Sequence, residues 1–185
     1  MTCSIRTFLT AGAAVLALAE PAHAQSESAL PGTYWKTEDG KFVFHIVDCD
    51  GGELCGDLVW LSRALDKATY QPKRDKDNPD PALRDRPVCG LRVVTGLEPD
   101  GDNRWESGRF YNPDDGNNYG AWMRFDPEAD ALTIRAYLGV EMLGKSMKLT
   151  QVDAPTEGCE ERAAAAMADL DNYIAKTPGT PWAAN

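Results

Sequence analysis

The chain has 185 residues, 19 basic and 29 acidic side chains and a formal charge of −10. That length suits one domain, and an apolar content of 43% can build a core, which excludes wholesale disorder. An isoelectric point near 4.6 with no Lys/Arg cluster argues against nucleic-acid binding and against electrostatic docking on anionic membranes.

Residues 1–24 are expected to be a cleaved signal peptide. Arg6 supplies the positive start, and Phe8 to Ala19 is an apolar run too short to span a bilayer. Ala22-His23-Ala24 is a small-x-small cleavage site. The product, residues 25–185, is then a single periplasmic domain. Cleavage removes one Arg, one Glu, Cys3 and His23, so the charge stays −10 and four Cys and one His remain. No later segment is apolar enough for stable membrane insertion.

Downstream, short β-type segments alternate with turn signals. Residues 32–37 lead into the turn Glu38-Asp39-Gly40. Residues 41–48 alternate, with Phe42, Phe44 and Ile46 on one face and Val43, His45 and Val47 on the other. Cys49 and Cys55 flank a second turn, Asp-Gly-Gly-Glu-Leu, before residues 54–61. Further strand patterns cover 91–97, 104–111, 118–125, 131–138 and 145–152. Eight strands with one apolar face each imply antiparallel sheet, closed as an up-and-down barrel or packed as a sandwich.

Two segments depart from this meander. Residues 62–90 form a long polar loop, expected to be ordered by Asp66, Asn78, Asp80 and Arg86 with help from Pro79 and Pro81, and tied across one barrel end. Residues 157–176 read as a C-terminal helix with an apolar stripe of Ala163, Met167, Leu170 and Ile174.

The four remaining Cys in an exported chain imply disulfides. The turn places Cys49 beside Cys55, which leaves Cys89 to pair with Cys159 by elimination. No metal site is expected, because there is no CxxC and His45 lies mid-strand. The run Asp75-Lys-Asp77-Asn-Pro-Asp80 fails the EF-hand pattern. Nucleophilic triads, phosphate-cradling loops and dinucleotide fingerprints are missing, so neither catalytic residues nor a cofactor are assigned.

On an unbroken strand, Trp105, Ser107, Arg109 and Tyr111 share one face. An Arg among aromatics can hold a ligand anion while the rings cover its apolar part, so Trp105, Arg109 and Tyr111 form the candidate ligand site. The same pattern fits an Arg–aromatic stack on a barrel wall. One bulge between Trp105 and Tyr111 would turn Arg109 to the opposite face.

Several motifs together resemble a family of exported bacterial proteins, domain of unknown function 2147. They are Trp35 with the Asp39-Gly40 turn, Leu54-Cys55-Gly56 with Trp60-Leu61, and the loop positions Asp66, Asp77-Asn78-Pro79-Asp80-Pro81, Arg86-Pro87 and Gly90-Leu91. Trp105 with Gly108-Arg109, Tyr111-Asn112-Pro113-Asp114-Asp115-Gly116 with Tyr119, and Arg135, Tyr137, Gly139 and Gly144 complete the pattern. The resemblance implies a small lipocalin-like barrel with a cavity or cleft, and carries no established enzymatic activity and no agreed catalytic residues.

The resulting expectation is an all-β, lipocalin-like barrel of about eight strands with a C-terminal helix. Its inward faces would include Phe42, Phe44, Ile46, Met123, Phe125, Ile134 and Leu138. It would bind a small, partly apolar molecule, such as an amphipathic carboxylate. If its own side chains fill the barrel instead, an envelope interaction protein using loop 62–90 and exposed aromatics is the alternative.

Overall fold

The computed structural model describes residues 30–176, so the expected signal peptide lies outside the described residues. Eight antiparallel strands run in chain order: β1 (Thr33–Thr37), β2 (Phe42–Asp48), β3 (Leu54–Leu61), β4 (Arg92–Pro99), β5 (Arg104–Asn112), β6 (Asn117–Asp126), β7 (Ala131–Tyr137) and β8 (Lys145–Val152). Each pairs with the next, and β8 returns to β1 through Trp35 opposite Gln151 and Thr37 opposite Leu149, closing the barrel. This up-and-down order follows from the tight turns between alternating strands. Closure leaves no unpaired sheet edge.

The two barrel ends differ. One carries the short turns β2–β3, β4–β5 and β6–β7. There Trp35, Ile46, Leu97, Trp105, Met123 and Leu132 are buried in one continuous core, and Trp35 meets Phe125 edge to face at 5.8 Å. The opposite end, the mouth, carries the β1–β2 and β5–β6 turns, the β7–β8 loop and the long segment 62–91. The expected inward positions on β2, β6 and β7 belong to the core or its margin, except Leu138. It lies beyond the end of β7 and is exposed, because the chain has by then left the wall for the β7–β8 loop.

Both disulfides join the expected partners, Cys49 to Cys55 across the β2–β3 turn and Cys89 to Cys159 between the long loop and the C-terminal segment. That segment is not the single helix expected over 157–176. It forms α1 (Cys159–Ala168) and α2 (Leu170–Lys176), broken at Asp169, whose φ of −129° and ψ of 63° are not helical. At the break the Asp169 carboxylate accepts from the side-chain amide of Asn172. The break shifts the buried stripe to Cys159, Ala163 and Ala166, with Leu170 and Tyr173 packed against Ala64 and Leu65. Met167 faces solvent instead.

Candidate functional site: a cavity at the barrel mouth

Buried side chains occupy the packed end, whereas the mouth encloses a cavity of about 380 Å³. Phe42, Phe44, Leu58, Phe110, Ala136 and Met147 form its apolar wall, contributed by β2, β3, β5, β7 and β8. Each is an alternate inward residue of its strand, which is why five strands can converge on one volume. Val88 of the long loop adds to this wall.

The rim is polar. Lys73 of the long loop forms an ion pair of 3.0 Å with Asp114 in the β5–β6 turn. Tyr119 donates to Asp115 at 2.7 Å. Burial pushes the Asp115 carboxyl up, but hydrogen bonds from Tyr119, Asn117 and Asn112 outweigh it and hold the group below its usual range. The bond to Asp115 raises the Tyr119 phenol, so at neutral pH that hydroxyl remains a donor. Tyr137 and Lys145 complete the rim, and Lys145 makes no ion pair among the described residues.

The candidate site of Trp105, Arg109 and Tyr111 is not one face. Ser107 has φ +60°, and the β5–β6 register shifts between Trp105 and Gly108. This bulge reverses the strand phase. Trp105 points into the packed end, Phe110 takes the inward position at the mouth, and Arg109 and Tyr111 turn outward. Arg109 therefore lines an outer groove of about 280 Å³ with Arg86, Arg92 and Thr95, away from the barrel interior. A bulge between Trp105 and Tyr111 is the step named above as turning Arg109 away, and Gly108 inside the strand was its signal; Phe110 was not singled out in the sequence.

Hydrogen bonds and ion pairs run through the long loop at Asp66, Asn78, Asp80 and Arg86. The Asp66 carboxylate accepts from the Ala68 and Thr69 amides and from Lys76. The Asn78 side-chain oxygen, Oδ1, accepts from the Asp80 backbone amide, and Asp80 caps a 3-10 turn at Pro81–Leu83. The centre of the network is a residue not singled out as loop-ordering, the fully buried Asp75. Tyr111 donates to it at 2.5 Å, Asn78 at 2.8 Å, and Arg86 grips it at 2.7 Å. Burial and the bond to Asp75 raise the Tyr111 phenol, which stays protonated and donating.

These contacts attach the loop to the β5–β6 hairpin. Gly116 has φ +71°, and a Cβ there would lie 1.9 Å from the Asp77 carbonyl oxygen, so only glycine fits. The loop therefore does more than cross the barrel end. Its Lys73 and Val88 border the cavity, while Asn78, Pro79, Leu83 and Arg86 face the outer groove.

A third depression, about 550 Å³, lies between the helices and β3. Its floor includes the outward Trp60 ring, which Arg162 covers at 4.5 Å. Charged side chains such as Glu157, Asp169 and Lys176 border it. No cluster of three or more metal-ligating side chains occurs among the described residues.

Residues 33–151 match the model of a family described as "Uncharacterized protein conserved in bacteria (DUF2147)". No curated protein matches the chain. Among solved structures, a protein from Helicobacter pylori, HP1028, described as belonging to the lipocalin family, is similar with a TM-score of 0.55 at 21% identity. The similarity covers 78% of this chain and 88% of that one, and at this identity it shows a shared fold.

Proposed function

The chain belongs to this family of uncharacterised bacterial proteins, and from that premise and its own geometry we propose that it is a non-enzymatic binding protein, holding a small amphipathic molecule in the barrel mouth. One observation carries the reading: the barrel is filled at one end and hollow at the other. A volume of about 380 Å³ falls within the range of small-molecule sites, roughly 300–1,000 Å³. The aromatic and aliphatic wall suits an acyl or aryl body, gaining about 25 cal/mol per Å² of apolar surface buried. Lys145, uncommitted on the rim, suits a carboxylate or similar anion at the exposed end of the ligand. Arg109 has no part in this site.

A barrel filled at both ends would favour the alternative of an envelope protein acting only through its surface. The hollow mouth supports the ligand reading instead. Two disulfides and the signal-like start of the sequence support export to the periplasm. Mass spectrometry of protein from an envelope fraction tests this, with an N-terminus at Gln25 expected and intact Met1 in cytoplasmic material opposing it.

The binding test is a fluorescence titration with N-phenyl-1-naphthylamine, displaced by medium-chain fatty acids and aromatic acids. Ala136→Phe fills the cavity and is expected to abolish binding while the protein stays folded. Lys145→Gln should weaken the acids more than the neutral dye, and Arg109→Ala should change neither. A wild-type protein that binds neither dye nor acids would overturn the proposal.

A further inference from the structure

Among the described residues, six large hydrophobic side chains are well exposed, and four sit on one loop. Leu138, Val140, Met142 and Leu143 in the β7–β8 connection are 67%, 58%, 90% and 77% exposed. Isolated exposed apolar residues are ordinary, but four within six positions form a feature that water disfavours.

The loop is held in this pose. Arg135, projecting from β7, donates to the Glu141 carbonyl at 2.9 and 2.8 Å and to Ser146 on β8 at 2.9 Å. The Gly144 amide closes a 3-10 turn onto the same Glu141 carbonyl at 3.0 Å. A guanidinium fixed on the loop backbone keeps the apolar side chains outward instead of letting them collapse onto the wall. The loop is also the lip of the cavity, since Leu138 and Leu143 line both the exposed tip and the mouth.

We propose that the β7–β8 loop is a docking tip that inserts Val140, Met142 and Leu143 into the interfacial layer of a lipid bilayer, bringing the cavity mouth against the membrane. Two observations select lipid over a protein partner. The apolar tip is continuous with an apolar cavity, so an amphiphile leaving the bilayer would reach Phe42 and Phe110 without crossing water. The tip is also close to neutral, since residues 138–145 carry one acidic residue, Glu141, and one basic residue, Lys145.

The insertion is shallow and reversible, because a few apolar side chains without a lipid anchor give only marginal membrane affinity. The charge of −10 sets a preference for zwitterionic over anionic surfaces, and salt should reduce that preference. Only the purpose of the docking depends on the cavity reading; the docking itself does not.

The test is flotation of the folded mature protein, residues 25–185, with phosphatidylcholine vesicles, repeated with vesicles containing phosphatidylglycerol. The wild type should float with the neutral vesicles, and less with the anionic ones at low salt. The double variant Val140→Asp, Met142→Asp, at two exposed positions that do not line the cavity, should lose roughly tenfold or more of this binding. Both substituted positions are exposed, so its melting temperature and its binding of N-phenyl-1-naphthylamine without vesicles should match the wild type. A wild type that does not float, or a variant that floats equally well, overturns the proposal. A wild-type dimer made monomeric by the same substitutions, with no flotation, would assign the tip to contacts between copies. Flotation without dye binding would leave the docking intact and remove the cavity reading.

Discussion

The packed end and the mouth of the barrel are made from the same eight strands but are stabilised in different ways. At the packed end, Trp35, Leu97, Trp105 and Met123 exclude water and one another's alternatives by close packing. At the mouth, apolar side chains line a hollow, so packing contributes less there. Polar and covalent ties take over: Asp75 with Arg86, Tyr111 and Asn78, the Lys73–Asp114 pair, and the Cys89–Cys159 bridge. The open cavity is held from outside, by a loop clamped to the neighbouring hairpin.

Truncation should separate the two ends most sharply. Trp105→Ala should cost about 3–5 kcal/mol, because it opens a void in a close-packed core. Phe110→Ala, on the same strand but at the mouth, should cost about 1–2 kcal/mol, because it only enlarges an existing hollow. Urea denaturation measures both, and equal losses would break the distinction between the ends.

The disulfides sharpen it. Opening Cys89–Cys159 releases a separation of 70 residues, against 6 for Cys49–Cys55. Chain entropy gives about 4 kcal/mol for the first and about 2 for the second, so Cys159→Ser should unfold at lower urea than Cys49→Ser. The reverse order would contradict the view that the mouth depends on long-range ties.

Removing Asp75 tests the polar clamp itself. Asp75→Ala leaves Arg86 and the Tyr111 hydroxyl facing an emptied buried site, at a cost of about 3 kcal/mol. Native-state trypsin should then cut rapidly between Lys73 and Arg86, while the packed end stays protected. Unchanged proteolysis would show that the loop does not rely on Asp75.

The smallest effect concerns pH. Amide hydrogen bonds from Ala68, joined by Lys76 and Thr69, outweigh burial and hold the Asp66 carboxyl at about 2. Its unfolded value is about 4. The folded value is the lower one, so Asp66 contributes stability at neutral pH that is lost as pH falls from about 4 to about 2. Melting temperatures of wild type and Asp66→Asn should differ above pH 4 and converge near pH 2. A gap independent of pH would mean that Asp66 acts by shape alone.

The packed end was largely legible in the sequence, and the mouth only in part. Alternation over 41–48, 118–125 and 131–138 placed Phe44, Ile46, Met123 and Ile134 correctly, because period-2 burial is a local property of each strand, but it carried the last pattern one residue too far, to the exposed Leu138. Eight such strands still left barrel and sandwich open, since closure depends on β1 meeting β8 across the whole chain. The site failed at a single residue. Ser107 in a left-handed conformation exchanged Arg109 for Phe110 at the inner face, and alternation carries no memory of such a step. Asp75 was hidden for another reason: its partners Arg86 and Tyr111 are 11 and 36 residues away, so its role exists only once the loop and hairpin meet. The break at Asp169 likewise divided a helix whose apolar spacing looked continuous.

The central claim, that ligand binds in the open mouth of an otherwise filled barrel, can be read residue by residue. Carbon-13 methyl spectra of the folded protein would be recorded while a medium-chain fatty acid is titrated. The account predicts shifts at Leu58, Val88, Ala136 and Met147, with Leu97, Met123 and Leu132 silent and the Arg109 groove unaffected. Shifts confined to the outer groove, or no shifts at the mouth at saturating acid, would contradict it.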